Sequence, residues 1–237
     1  MGNQIVRINN LVKFYGSRPA LQNLNLNLTD GKVVGLMGEN GCGKTTLLKI
    51  LAGIMCDYSG IVEIVGHKPG VESKQQVAFL PDESHLPDAI TARSAIALYS
   101  DFFTDFDAHK ALEMLNYFGL EPSQRYKEMS KGMREKLQIA LTMARSAKVY
   151  LLDEPISGVD PASRSVIMDG IIKGFSQGAL MLVSTHLIQD IETVVDEAVF
   201  MYHGQVVMHR QADEIRENEG KSLDRLFREM FACSPHS

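Results

Sequence analysis

Apolar residues in this chain recur as short uninterrupted runs that alternate with stretches of helical spacing. Ile5, Val6 and Ile8 read as a strand ending at Asn9-Asn10, and Leu11, Val12 and Phe14 form a second short run. Leu24, Leu26 and Leu28 alternate with Asn25 and Asn27, the period of two that half-buries a strand. After the turn signal Asp30-Gly31, residues 33–37 (Val-Val-Gly-Leu-Met) form a run suited to a strand covered on both faces. That run feeds a glycine-rich loop and then helical spacing over 46–51.

Further strands are expected at 61–65, 77–80, 149–152, 180–184 and 198–201. Runs of this length, several alternating with helices, predict an α/β core whose central strands are parallel. From about 88 to 146 the pattern changes: 92–103, 109–118 and 133–145 all take helical spacing with no strand between them, which predicts a helical insertion into the core. Residues 212–231 predict two short helices broken near Gly220, and there is no internal repeat, low-complexity segment or long linker.

Composition changes this picture in three places. A length of 237 residues suits one large domain, and 45% hydrophobic with 22% charged residues is that of an ordinary globular chain. A net charge of −5 argues against coating nucleic acid, and no nucleic-acid partner is expected. Only Cys42, Cys56 and Cys233 are present, so no disulfide framework is expected and a reducing cytosol fits. The first ten residues lack the pattern of a signal peptide, and no run approaches the ~18 apolar residues of a membrane span. A role at a membrane then requires another chain to supply the spans.

The loop Gly38-Glu39-Asn40-Gly41-Cys42-Gly43-Lys44-Thr45 fits G-x-x-x-x-G-K-[ST], between a buried strand and a helix. Glycines let backbone N–H groups close around phosphate oxygens, and the helix aims its N-terminal dipole at the anion. Lys44 suits the β and γ phosphates of a nucleoside triphosphate, Thr45 a Mg²⁺ ion and Thr46 a phosphate oxygen. A second strand ends in Asp153-Glu154-Pro155, a costly place for two carboxylates unless a cation or a reaction uses them. Asp153 suits Mg²⁺, and Glu154 suits the proton of a water attacking the γ-phosphate.

In this order the pieces resemble the ATP-binding domain of ABC transporters over essentially the whole chain. The resemblance implies the P-loop NTPase fold of that family: an α/β, ABC-type ATPase core with a mixed β-sheet, an inserted helical subdomain at about 88–146 and C-terminal helices at about 211–231. Met129-Ser130-Lys131-Gly132-Met133 is similar to the family's LSGGQ signature and keeps Ser130 and Gly132; a serine and glycine there also read as a plain helix cap. In the family this segment binds the ATP of the opposite subunit, which implies a head-to-tail homodimer or heterodimer of ATP-binding subunits.

Ser157-Gly158-Val159-Asp160 resembles the family's dimer-interface loop, with Asp160 at the matching position, and Asp160 before Pro161 is also a helix-start signal. His186, after Ser184-Thr185, matches the switch histidine, which contacts the γ-phosphate and keeps Glu154 in line. Tyr15 falls where the family stacks an aromatic on adenine; core packing is the competing reading. At the family's glutamine loop, Phe79-Leu80-Pro81 leads to Asp82 instead, which could ligate Mg²⁺; the alternatives are that Asp82 caps the turn or that Glu83 is the ligand.

The resemblance is strongest to bacterial single-domain exporter ATPases. It implies an ATPase on the cytoplasmic face of the cell membrane, attached through a membrane-spanning transporter subunit, with ATP and Mg²⁺ bound. A regulatory ATP switch and a soluble ABC protein are the alternatives. Lys44, Asp153, Glu154 and His186 together favour real turnover.

Overall fold

The computed structural model describes residues 2–83 and 86–231; Cys233 lies outside them. In chain order the elements are β1 (Gln4–Tyr15), β2 (Arg18–Thr29), β3 (Lys32–Met37), α1 (Lys44–Leu51), β4 (Ser59–Ile64), α2 (Val71–Lys74) and β5 (Val77–Leu80). Then follow α3 (Ala92–Phe102), α4 (Ala108–Tyr117), a 3₁₀ turn (Tyr126–Glu128), α5 (Lys131–Met143), β6 (Val149–Asp153) and α6 (Pro161–Gly174). The chain closes with β7 (Leu180–Thr185), α7 (Ile188–Ile191), β8 (Glu197–Tyr202), β9 (Gln205–Gln211), α8 (Ala212–Glu219) and α9 (Leu223–Phe231).

The expected mixed sheet is present, and a second, smaller sheet accompanies it. The larger has the order β5-β6-β7-β3-β8-β9, parallel except for the antiparallel β9 at its edge. The smaller is an antiparallel sheet in the order β2-β1-β4. The two apolar runs before and after Asn9-Asn10 prove to be one strand, because Asn10 at φ 52° bulges the ladder without ending it. β9 was not anticipated: its residues alternate between exposed and half-buried, so it carries no fully buried run.

The central strands β3, β6 and β7 are buried almost throughout, as continuous apolar runs require. One face of the large sheet shares a hydrophobic cluster with α3, α4, α5 and α6; the other packs, through Leu47, Leu48 and Leu51 of α1, onto the small sheet. Within 88–146 the described elements are helical, apart from the isolated bridges Thr91–Arg125 and Phe106–Arg145. Arg145, 4% exposed, fastens these helices to β5: it pairs with Asp105 at 3.0 Å and donates to the carbonyls of Val77 and Gln75. β5 ends one residue before Pro81-Asp82, so this clamp sets where that loop begins. Gly220, at φ 60°, separates α8 from α9 as the sequence predicts.

Candidate active site

The parallel register brings the chemistry to one edge. β7 lies between β3 and β6, so the loop after β3, the carboxylates ending β6 and the histidine after β7 leave the sheet side by side. The carboxyl ends of parallel strands are where open α/β sheets bind ligands. The loop 38–43 turns through Gly41 (φ 81°) and Gly43 (φ 108°), conformations that side chains resist. α1 then starts at Lys44 without a side-chain cap, so its first N–H groups remain available to an anion.

Lys44 is 5% exposed, and its ammonium donates to the carbonyls of Gly38 at 2.7 Å and Glu39 at 3.2 Å. It also stands 3.3 Å from Glu154 Oε1. The other carboxylate oxygen, Oε2, lies 2.9 Å from His186 Nδ1. A carboxylate oxygen accepts, so this contact is a hydrogen bond in the tautomer that carries its proton on Nδ1. Glu154 adopts φ 49°, a left-handed conformation costing about 1–2 kcal/mol for a residue with a β-carbon. Its N–H is held by the Ser184 carbonyl and hydroxyl oxygens at 3.2 and 3.0 Å, which fixes this conformation and turns the carboxylate toward Lys44.

Asp153 is 1% exposed. Its Oδ1 accepts from Ser184 Oγ at 2.6 Å and Thr45 Oγ1 at 3.1 Å, while the buried Oδ2 has no hydrogen-bond partner. Burial pushes the Asp153 carboxyl above its usual range, against the two hydroxyl hydrogen bonds, and the carboxylates of Asp82 and Glu154 push it further. A carboxyl whose pKa is raised on folding binds its proton more tightly in the folded state. Its contribution to stability is therefore best below the unfolded pKa and falls as pH climbs toward the folded one. At neutral pH the bare site costs stability, which a cation would offset.

The orphaned oxygen, with the Thr45 hydroxyl beside Asp153, is a hard-oxygen set that fits Mg²⁺. Among the described residues no group of three or more His, Cys, Asp or Glu could hold a metal alone.

A cavity of about 510 Å³ lies over this machinery. Of the residues predicted from sequence, Tyr15, Asn40, Gly41, Gly43, Lys44, Thr45, Thr46 and Glu154 line it. Gly38 and Glu39 stand behind as acceptors for Lys44, Asp153 behind Thr45, and His186 against Glu154. Cys42 is buried, and burial pushes its thiol pKa up, opposed by Lys44. Tyr15 is 52% exposed, so it is no core residue; its hydroxyl lies 3.5 Å from Thr46 Oγ1.

Asp82 and Glu83 line a neighbouring cavity of about 490 Å³ with Lys131 and Glu135. Ser130, Gly132 and Asp160 do not line the first cavity. Ser130 caps α5 by accepting from Met133 N at 3.3 Å, and Asp160 caps α6 by accepting from Ser163 N at 3.1 Å. Hydrogen bonding from Ser163 holds the Asp160 carboxyl below its usual range.

Sequence reasoning missed Ser184 as a site residue, although it pairs in register with Asp153 and bonds both acidic residues. The available signal was a polar residue ending a buried strand. It also missed Arg18, Pro19 and Ala20, which line the cavity from β2 and carry no motif.

The family model for ABC transporters matches residues 21–157. The lantibiotic transport ATP-binding protein SrtF of Streptococcus pyogenes is 31% identical over 88% of this chain and 92% of its own. The daunorubicin resistance ATP-binding protein DrrA3 of Streptomyces coeruleorubidus is 28% identical over 97% of this chain and 75% of its own. Among solved structures, an ATP-binding subunit of an ABC transporter superposes with a TM-score of 0.84 at 27% identity, covering 95% of this chain and 99% of the other.

Proposed function

Since the chain belongs to the ABC transporter family and is an ATP-binding subunit that hydrolyses ATP to power transport, we propose that the cavity over 38–46 takes MgATP and that Lys44, Glu154 and His186 carry the hydrolysis. The observation that carries this reading is the chain of contacts Lys44–Glu154–His186 beside the Thr45–Asp153 pair. Holding the Lys44–Glu154 pair and the Asp153 carboxylate largely buried beside a cavity is expensive unless a ligand uses them.

The residues divide the work by geometry. Glycine-loop N–H groups (Gly38, Glu39, Asn40, Gly41, Cys42 and Gly43) and the start of α1 receive the phosphates, Thr46 adds a hydroxyl and Tyr15 offers its open ring face to adenine. Lys44 exchanges the Gly38 and Glu39 carbonyls for oxygens of the β and γ phosphates. That releases Glu154 to accept a proton from the attacking water, while His186 keeps its carboxylate oriented. Bound with the nucleotide, Mg²⁺ would supply neutralisation of the phosphate charge. Thr45 and Asp153 would hold it, and Asp82, which lies in the loop after β5, would be a further ligand.

A magnesium titration of the ATPase rate separates the two carboxylates. Asp153→Asn should lose most activity at every metal concentration, and Asp82→Gln should keep activity but need more Mg²⁺ for half saturation. An unchanged half-saturating concentration in Asp82→Gln removes it from the metal.

Ser130 and Gly132 begin one helix and Asp160 another, all away from the cavity. We assign them to the nucleotide and interface of a second ATP-binding subunit, with a membrane-spanning subunit as the transport path. No helix among the described residues is long and apolar enough to cross a membrane. The lantibiotic and daunorubicin relatives support export. Mixing Ser130→Arg subunits with Lys44→Ala subunits leaves one composite site unaltered in each mixed dimer. The mixture should be more active than either mutant alone; equal inactivity would argue against the trans arrangement.

A further inference from the structure

The tip of the β8–β9 hairpin touches the phosphate loop from behind. The tip is the two-residue turn His203-Gly204, with φ 45° and 78°, the left-handed pair that a tight hairpin of this kind needs. Gly204 N–H donates to the Cys42 carbonyl inside the phosphate loop at 2.9 Å. The Gly204 carbonyl accepts from Gln22 N at 2.9 Å, and the Gln22 side chain donates to the His203 carbonyl, also at 2.9 Å. Gln22 sits in β2, two residues past Ala20 at the wall of the cavity. The tip thus joins the phosphate end of the cavity to the strand that lines it.

The backbones meet so closely that side chains are excluded. A β-carbon on Gly204 would stand 2.6 Å from the Ala20 carbonyl oxygen, and one on Gly38 would stand 2.7 Å from that of Met201 at the end of β8. Behind the tip lies the C-terminal helix. The ring of Phe231 in α9 stacks on Tyr202 at 4.9 Å and 25°, and Tyr202 meets His203 edge-on at 4.1 Å. Phe227 of α9 packs edge-on against Phe200 of β8 at 5.2 Å. None of these side chains lines the nucleotide cavity, and the hydrolysis described above uses none of them.

We propose that the His203-Gly204 tip, backed by Phe231 of α9, is a positioning element that holds the phosphate loop in its nucleotide-binding shape, with Gln22, Tyr202 and Phe231 as positioning residues. The proposal rests on the MgATP reading of the cavity. A loop rich in glycine has more backbone freedom to lose on binding than other sequences, so outside ties that hold it in shape lower the ordering cost of taking up a phosphate chain. Loosening the tip should weaken nucleotide binding more than the hydrolytic step, because Lys44, Glu154 and His186 are untouched.

The test is calorimetric titration of the full chain with MgATP and MgADP, together with the KM and kcat of ATP hydrolysis and nucleotide-free melting curves. Gln22→Ala removes one tie without disturbing the glycine backbone, and Phe231→Ala removes the stack. Each should weaken both nucleotides and raise KM by about three- to tenfold, the effect of losing one hydrogen bond of ordinary net strength in Gln22→Ala and one aromatic pair in Phe231→Ala. The saturating kcat should stay within about twofold, and Phe231→Tyr, which can keep the stack, should bind as wild type. Nucleotide affinity within twofold of wild type in both alanine variants overturns the proposal, even if their melting temperatures fall. So does loss of kcat at unchanged KM. Lys44→Ala titrated in parallel separates the two failures: if it binds MgATP as wild type does, the cavity reading has failed and the inference with it.

Discussion

Glu154→Gln is expected to bind MgATP at least as well as the unaltered chain and to turn it over about 10²–10⁴ times more slowly, the usual contribution of a general base. The affinity argument comes from the contacts around Lys44. Its ammonium faces Glu154 Oε1 at 3.3 Å, so the nucleotide must draw Lys44 away from a negative partner. A neutral amide of the same shape weakens that competition and keeps a donor and an acceptor near His186. Binding therefore persists while proton acceptance is lost, and ATP-bound dimers should accumulate in size-exclusion chromatography. Hydrolysis within a few-fold of wild type would remove Glu154 from the base role.

Lys44→Ala should show the opposite pattern, with nucleotide affinity falling by about ten- to a hundredfold, as expected for one lost charge-assisted hydrogen bond. A cation between the β and γ phosphates stabilises bound substrate as well as the transition state, so its loss appears in binding first. The substitution also leaves Glu154, whose side chain is 10% exposed, without its ion-pair partner. Breaking a buried pair from one side is destabilising, so the nucleotide-free melting temperature should fall as well. Lys44→Ala with Glu154→Gln should recover part of that temperature without recovering affinity. Calorimetry checks the first expectation and thermal melting the second; unchanged ATP affinity would place the phosphates elsewhere.

The parallel core was legible because its strands are buried on both faces and appear as unbroken apolar runs, as in 149–152 and 180–184. β9 was hidden because its alternating half-buried residues leave no such run, and the second sheet because β4 joins β1 across the intervening β2, β3 and α1, a pairing that leaves no local trace. Lys44, Thr45, Asp153 and Glu154 could be picked out because they stand at strand and helix ends in a spacing tied to chemistry, and His186 only through the family resemblance. Ser184 showed only as a polar residue near the end of a buried strand; its importance arises when β6 and β7 align and its hydroxyl meets Asp153. Arg18, Pro19 and Ala20 reach the cavity because β2 packs against α1, a matter of packing and not of pattern. Asp82 was visible as a departure from a resemblance; that its charge adds to the burial that raises the carboxyl pKa values of Asp153 and Glu135 comes only from the fold.

The central claim, that this chain cleaves MgATP with Glu154 as base in the cavity over its phosphate loop, is tested most directly by a single turnover. The purified chain, in excess over γ-labelled ATP with Mg²⁺ present, is quenched at intervals and the label is separated into ATP and phosphate. The account predicts that wild type converts the bound label to phosphate while Glu154→Gln returns it as intact ATP still bound to protein. Intact ATP recovered from wild type, or phosphate formed equally fast by Glu154→Gln, would contradict it.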